Sequence, residues 1–413
     1  MRLDDYTTAR LRDYISKGAD LQQQSMAQRT SVPFWRDVRV LTVLSQIVFV
    51  IVLALVAGFF YTNLTSAMRQ RGLVAGFDFL QRESGFEIGE GLIPYRPSDL
   101  YGHAFVVGVL NTLLVSVVCI FFATILGVLT GVARLSSNWL INRIAATYIE
   151  IIRNTPLLVQ LVFIYFGVFV KLPPIRDTLE WGGAFFANQR GVFLPRPLPA
   201  PTFDAWTSFV LFAALGAFAL WLFLSRHPKY RYTFYPITIP LAWLVGFPLV
   251  GWFLVGQTPV TFEIPERGRF NFSGGIALSP EFSALLTGLV VYTAAFIAEV
   301  VRGGLQAVRR GQIEAARAIG LSEAQILYLV VFPQAMRVIV PPLTSQYLNL
   351  AKNSSLAIAI GYPDLFNVGA TIANQTGQPV PVIMLIMATY LAMSLTTSVL
   401  MNIYNARIQV LEK

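Results

Sequence analysis

Glu314-Ala315-Ala316-Arg317-Ala318-Ile319-Gly320, followed by Leu321-Ser322-Glu323-Ala324-Gln325 and closing on Phe332-Pro333, is a polar interruption between long apolar runs. It is too polar to cross a bilayer itself. Its alanines favour a short helix, and Gly320 falls where a left-handed C-terminal cap belongs. Ser322 with Gln325 three residues on reads as a capping box that opens a second helix. Pro333 marks the end of that second helix or a kink in it. Two short helices joined at a glycine, held at a membrane face, suit the docking of a soluble partner. The rest of the chain then reads as what connects this element to a pore.

The flanking runs set the class. The chain has 413 residues, 55% of them hydrophobic and only 13% charged, with a mean hydropathy of +0.60. Soluble domains carry about twice that charged fraction. Apolar runs near the length of a bilayer crossing recur along it, which identifies a polytopic helical membrane protein. The net charge of +9 is scattered among loops rather than clustered, so excess Lys and Arg on cytoplasmic loops explains it and no nucleic-acid partner is expected. One cysteine, Cys119, excludes an internal disulfide and argues against a cysteine metal site. His103 and His227 lie far apart beside different apolar segments, and neither reads as a metal ligand or catalytic base.

Residues 1–39 are polar and basic and read as a cytoplasmic segment with some helix, without the pattern of a signal peptide. A first span covers 40–61, with aromatic residues at its ends. A polar segment, 62–103, follows; Phe77, Phe79, Leu80, Phe86, Ile88 and Ile93 stud it, so order against the membrane domain is expected. Further spans are expected at 104–133, 145–170, 206–224, 235–255, 282–302, 338–360 and 380–403. The result is an all-α integral membrane protein with about eight transmembrane helices. Its core covers 104–405, with an inserted loop and helices at about 171–280, and a short tail covers 406–413. No internal repeat or low-complexity segment is visible.

Placing the N-terminus in the cytoplasm puts Arg134, Arg143, Arg226, Lys229, Arg231, Arg309, Arg310, Arg317, Arg337 and Arg407 on the same side. Both termini and the stretch at 314 are then cytoplasmic, and 62–103 lies outside.

The opening stretch also carries a resemblance. Glu314-Ala315-Ala316, Gly320 and Val330-Val331-Phe332-Pro333 resemble the signature of ATP-binding-cassette importer permeases. In that signature a glycine follows the glutamate at this spacing and a leucine-proline pair closes it; Phe332 and Val330 depart from the usual leucine and isoleucine. Tyr148-Ile149-Glu150 with Arg153, Thr155-Pro156-Leu157-Leu158 and Gln160 resembles a segment of polar amino acid permeases. Ala298-Glu299 with Arg302-Gly303-Gly304, Ala351-Lys352-Asn353-Ser354-Ser355-Leu356 and Asn111-Thr112-Leu113 look like further motifs of that group. The matches cover roughly 104–405. The extra first span, Phe77-Asp78-Phe79-Leu80 with Gly85-Phe86, and the inserted spans resemble a longer subgroup serving general L-amino acid uptake.

The resemblance implies a type I permease core whose cytoplasmic coupling helix docks in a groove on an ATPase, with Glu314, Ala315, Ala316, Ala318, Gly320 and Pro333 as the coupling residues. It implies two ATPase subunits and a second homologous permease, as a heterodimer rather than a homodimer. It also implies an external amino acid-binding protein, in a bacterial inner membrane. The chain itself is expected to bind no cofactor, since it has no P-loop sequence; ATP and Mg belong to the partner ATPase.

The intramembrane polar residues carry a signal of their own, independent of any resemblance. A charge at the bilayer centre costs on the order of 3 kcal/mol, so such charges face a cavity or a partner. Glu299 and Arg302 share a helix face, either as part of a pathway or as an internal ion pair. Ser345, Asn349 and Lys352 stand at helical spacing, extended by Asn353, Ser354 and Ser355; this stripe lines a passage or serves as interhelix glue. A passage offering Lys352, Glu299 and hydroxyls meets both the carboxylate and the ammonium of an amino acid. The alternatives are an ion-coupled secondary transporter using Lys352 and Glu299, and a non-transporting scaffold or sensor subunit. No constellation of nucleophile and base points to an enzyme.

Overall fold

The computed structural model describes residues 38–70, 76–228, 230, 235–268 and 271–409. The helices are α1 (Val38–Gln70), α2 (Tyr101–Ala133), α3 (Trp139–Asn154), α4 (Leu157–Phe163, continued by a π turn, Ile164–Phe169), α5 (Phe203–Arg226) and α6 (Tyr235–Val255). They continue as α7 (Pro280–Gln306), α8 (Arg310–Ala318), α9 (Glu323–Ile326), α10 (Phe332–Asn353), α11 (Leu365–Thr376) and α12 (Pro379–Gln409). Among the described residues, seven helices are long and apolar enough to cross a membrane, or eight if a bent pair is one span. The expected segment 1–39 lies outside the described residues except for 38 and 39.

The chain divides into two compact units, Met1–Ala75 and Gly76–Lys413. In the first, α1 carries the apolar stretch Leu41–Phe60. It is apolar all round, with Leu44, Phe49, Leu53 and Phe59 each more than half exposed, the character of a helix whose solvent is lipid.

In the second unit α2 packs most extensively along α7. Lipid tails are as apolar as leucine, so close packing rather than burial from water holds such helices together. Gly127 and Gly131 supply it: a Cβ on Gly127 would lie 2.6 Å from Ile297, and one on Gly131 would lie 2.7 Å from the Ala298 carbonyl oxygen. One core cluster includes Leu161, Leu285, Leu289, Ile297, Leu350 and Tyr362, joining α4, α7 and α10. A second unites Phe79 and Tyr101 with Leu365, Val368, Ile372 and Val382; Leu80, Phe86 and Ile88 pack on it. Residues 76–100 pack against the membrane helices as expected, although Phe77 stays exposed.

Four expectations change. The span at 145–170 is broken: α3 and the helix after it meet at 103°. Pro156 has no N–H to continue α3 and pushes Thr155 into the extended region, at φ −107° and ψ 130°. Gln160 holds the break, its side-chain nitrogen donating to the carbonyls of Ile152 at 2.8 Å and Thr155 at 2.9 Å. The span at 338–360 starts earlier: a continuous segment, Glu323–Ile360, passes through a π turn at Leu327–Val331. Pro333 therefore sits in the first turn of α10 rather than ending a separate helix, and Pro341 and Pro342 lie inside α10. Helix α11, capped by Asp364 accepting from the Asn367 amide at 2.8 Å, was not expected.

The chain is mostly helical, and among the described residues its strands are confined to the insertion between α4 and α7. The Pro- and Gly-rich insertion resists helix and pairs its backbone in short strands: β1 (Leu179–Trp181), β2 (Phe185–Asn188), β3 (Gly191–Leu194), β4 (Arg196–Pro199), β5 (Val260–Glu263), β6 (Glu266–Arg267), β7 (Phe272–Ser273) and β8 (Ile276–Leu278). The order is β1-β2-β3-β8, with β4-β5 and β6-β7 as separate antiparallel pairs. The β4-β5 pair closes the base of the α5–α6 hairpin, and β8 leads into α7.

Candidate functional site

The turn after α8 is closed by its own backbone. The Gly320 amide donates to the Arg317 carbonyl at 2.9 Å and the Leu321 amide to the Ala316 carbonyl at 3.2 Å, the two bonds of a Schellman cap. Gly320 supplies the left-handed residue at φ +82°. Ser322 then caps α9: its hydroxyl accepts from the Gln325 amide at 3.4 Å, and Gln325 Oε1 accepts from the Ser322 amide at 2.9 Å. Across the turn Arg317 and Glu323 form an exposed ion pair at 2.8 Å. The glycine cap and the capping box are both as expected.

The faces divide clearly. Ala316 is buried within the chain, as is Ile326. Glu314, Ala315, Ala318 and Gly320 are exposed, and Ile319 at the tip is 77% exposed. Ala316 thus anchors the element to its own chain, while Ala315 and Ala318 present the surface a partner can approach. Pro333 is half-buried at the start of α10. Ile319 was not singled out from the sequence; its place beside the cap glycine was the available signal.

A cavity of about 250 Å³ lies between α7 and α10, lined by Tyr292, Thr293, Phe296, Gln346, Asn349, Leu350 and Asn353. Of the sequence stripe, it gathers Asn349 and Asn353. Ser345 and Lys352 are exposed on α10 without lining it. Ser354 turns away: α10 tightens into a 3-10 segment, Ser354–Ile360, and Ser354 is fully buried, its hydroxyl donating to the Ala351 carbonyl at 2.9 Å. Ser355 donates to the Lys352 carbonyl at 2.8 Å. Gln346, Tyr292, Thr293 and Phe296 were missed; Gln346 stands three and seven residues before Asn349 and Asn353, a face the chosen stripe passed beside.

Glu299 and Arg302 satisfy each other at 2.7 Å, and Arg302 also donates to Gln306 at 2.7 Å. Neither lines the cavity. Arg153 lies over the Phe296 ring at 5.2 Å from its centre, which brings the α3 break next to the cavity wall.

At the opposite end of α7 the chain is tied by polar contacts. Asn111 donates to the carbonyls of Glu90 and Pro363, each at 2.9 Å. The Leu365 amide donates to Thr112 at 2.9 Å. The Ser279 hydroxyl donates to the Glu90 carboxylate. Burial pushes the Glu90 carboxyl above its ordinary value, against that hydrogen bond and with the nearby Glu281 charge adding to it. Burial pushes Asp364 up to about 6, opposed by hydrogen bonds from Asn367 and Tyr390 among others. Among the described residues no group of three or more His, Cys, Asp and Glu side chains comes together to hold a metal ion.

A family model described as the binding-protein-dependent transport system inner membrane component matches residues 226–410. The putative amino-acid ABC transporter permease protein YhdX of Escherichia coli is 45% identical over 375 residues, 90% of this chain and 94% of its own length. This chain belongs to the amino acid ABC transporter permeases. The general L-amino acid transport system permease protein AapQ of Rhizobium johnstonii is 43% identical over 85% of this chain and 88% of its own length. Among solved structures, an amino acid ABC transporter aligns over 74% of this chain and 95% of its own at 23% identity and a TM-score of 0.45.

The permease is therefore a multi-pass inner membrane subunit of an ABC transporter and not itself an enzyme; in such systems the ATPase is a separate subunit. Two further relatives, both in Bacillus subtilis, are named as probable glutamine ABC transporter permease proteins, GlnP and GlnM. None of these relatives is named as an ion-coupled carrier or as a scaffold.

Proposed function

We propose that this permease forms half of the translocation pathway of an ATP-driven amino acid importer and takes its power stroke through the turn at Gly320. The observation that carries the reading is that turn: locked by its Schellman cap, exposing Glu314, Ala315, Ala318 and Ile319, and continuous through Ala316 and α9 with the segment Glu323–Ile360 that bears Gln346, Asn349 and Asn353. A push on Ile319 reaches the cavity wall along one helix. ATP and Mg act in the ATPase; this chain transmits force and makes or breaks no covalent bond.

Two ATPase subunits, a second and different permease, and an external amino acid-binding protein complete the assembly, with both termini of this chain cytoplasmic. Asn349, Gln346 and Asn353 offer amide donors and acceptors to an amino acid in transit, with Lys352 and Ser345 exposed beside them for the partner permease's half of the path. Glu299 and Arg302, paired with each other, brace the cytoplasmic end of α7.

The test is reconstitution in liposomes with the ATPase, the partner permease and the binding protein. Uptake of a labelled amino acid is expected only with internal ATP and all components. Uptake by this chain alone, driven by an ion gradient, would overturn the reading.

A further inference from the structure

Between Asp204 and Glu263 the chain carries no acidic residue, and its only charged side chains there are Arg226, Lys229 and Arg231, with His227 beside them. The helices on either side, α5 and α6, pack chiefly on each other. Trp206 Nε1 donates to the Pro248 carbonyl at 3.0 Å, and Trp243 stacks on Phe247 with ring centres 4.9 Å apart. The outward faces, with Leu211, Phe212, Leu215 and Phe218 each about 60% exposed or more, are apolar. The β4-β5 pair closes the base of this hairpin, and the neighbouring sheet ends at β8, which leads into α7. The base and the start of α7 therefore share one membrane face. Both α5 and α7 are long enough to cross, so the hairpin tip emerges on the face where α7 ends and the Gly320 turn begins.

At that tip lies a recess of about 540 Å³ lined by Ala219, Leu222, Phe223, Arg226, His227 and Pro228. Ala219, Leu222 and Phe223, one and two helical turns before Arg226, give it an apolar wall; Arg226 and His227 put basic groups at its end nearest the loop. Arg226 has no ion-pair partner among the described residues. Placing a basic loop on the cytoplasmic side needs charge alone. It does not need an apolar wall leading away from an unpaired guanidinium. A wall of that kind and a cationic rim together fit an amphiphile with an anionic head.

We propose that this recess is a binding site for an anionic phospholipid, its phosphate on Arg226 and an acyl chain along Leu222 and Phe223. A free phosphate ion meets only the rim and leaves the wall unfilled. The site tethers the inserted hairpin to the leaflet at the coupling face. It stands apart from the transport reading, and its test needs no uptake.

The test is native mass spectrometry of the purified permease complex titrated with phosphatidylglycerol, phosphatidylcholine or inorganic phosphate. Phosphatidylglycerol is expected to be retained about fivefold better than phosphatidylcholine, the attraction of roughly one basic side chain, and inorganic phosphate not at all. R226Q is expected to abolish the preference with the complex intact, R226K to keep it, and Phe223→Ser to weaken retention of both lipids. Equal retention of the two lipids by the unaltered complex, or an undiminished preference in R226Q, overturns the proposal.

Discussion

At Gly320 one residue decides whether the capped turn exists. Nothing lies within 4 Å of where its Cβ would stand, so a substitution there acts through the backbone alone. Holding a β-branched residue at φ +82° costs roughly 1–2 kcal/mol. Gly320→Val is expected to weaken capture of the ATPase in a pull-down several-fold while leaving expression and the membrane helices unchanged. Asp364 governs a different property. Its carboxyl is fully buried and its value is raised from 3.8 to about 6 by burial. The folded chain thus holds that proton more tightly than the unfolded one. The resulting stabilisation is complete below about pH 4 and is lost as pH rises through about 6, a swing on the order of 3 kcal/mol. Thermal stability in detergent should fall between pH 5 and pH 7 through this group. Asp364→Asn, which still offers an oxygen to the Asn367 amide, is expected to flatten that part of the profile.

Among the elements, α2 and α7 form the tightest pair, and the glycines of α2 make it so. A Cβ on Gly131 would meet both the Ala298 carbonyl oxygen, at 2.7 Å, and Val301, at 2.9 Å. Gly131→Val should force the helices apart and destabilise the permease by about 1–3 kcal/mol, read as a lowered melting temperature and a reduced monodisperse yield. Gly131→Ala should fall between. The α3–α4 break shows the opposite device, in which a helix is interrupted and the loss made good. Pro156 removes the ladder bond, and Gln160 satisfies the freed carbonyls at 2.8 and 2.9 Å. Left unpaired away from water, a carbonyl costs about 1–3 kcal/mol.

For the whole molecule the question is how motion at the exposed turn reaches the cavity. Ile319, 77% exposed, is the apolar contact available to a partner's groove. Arg317 and Glu323 brace the turn on either side of it. Ile319→Asp is expected to leave the fold intact and abolish ATP-driven uptake in the reconstituted assembly. ATPase activity should then cease to respond to the binding protein. Unchanged uptake by that variant would place the contact elsewhere on the turn.

Much of this arrangement can be read without coordinates, because it depends on local chemistry. A glycine following an alanine-rich polar segment, a serine and glutamine three apart, and apolar runs of bilayer length each dictate their own structure. So the membrane class, the left-handed cap at Gly320 and the capping box at Ser322 were all legible. The close approach of Gly127 and Gly131 to α7 was not read from the sequence, because a glycine pair four apart on an apolar helix does not say which helix it meets. What depends on the direction in which a helix turns was not legible. Asn353 faces the α7–α10 cavity and Ser354, its neighbour, is fully buried, because successive residues point about 100° apart and only one of the two directions meets the cavity. Pro156 bends its span by 103° because Gln160 is there to satisfy the carbonyls. Pro333 leaves its segment continuous because it falls in the first turn of α10, where no ladder N–H is needed, and Pro341 and Pro342 lie inside α10. The sequence by itself determined that the chain spans the membrane and carries a glycine-capped polar turn. Only the tertiary structure decided which polar residues share a cavity, because that depends on helix phase and on packing partners distant in the chain.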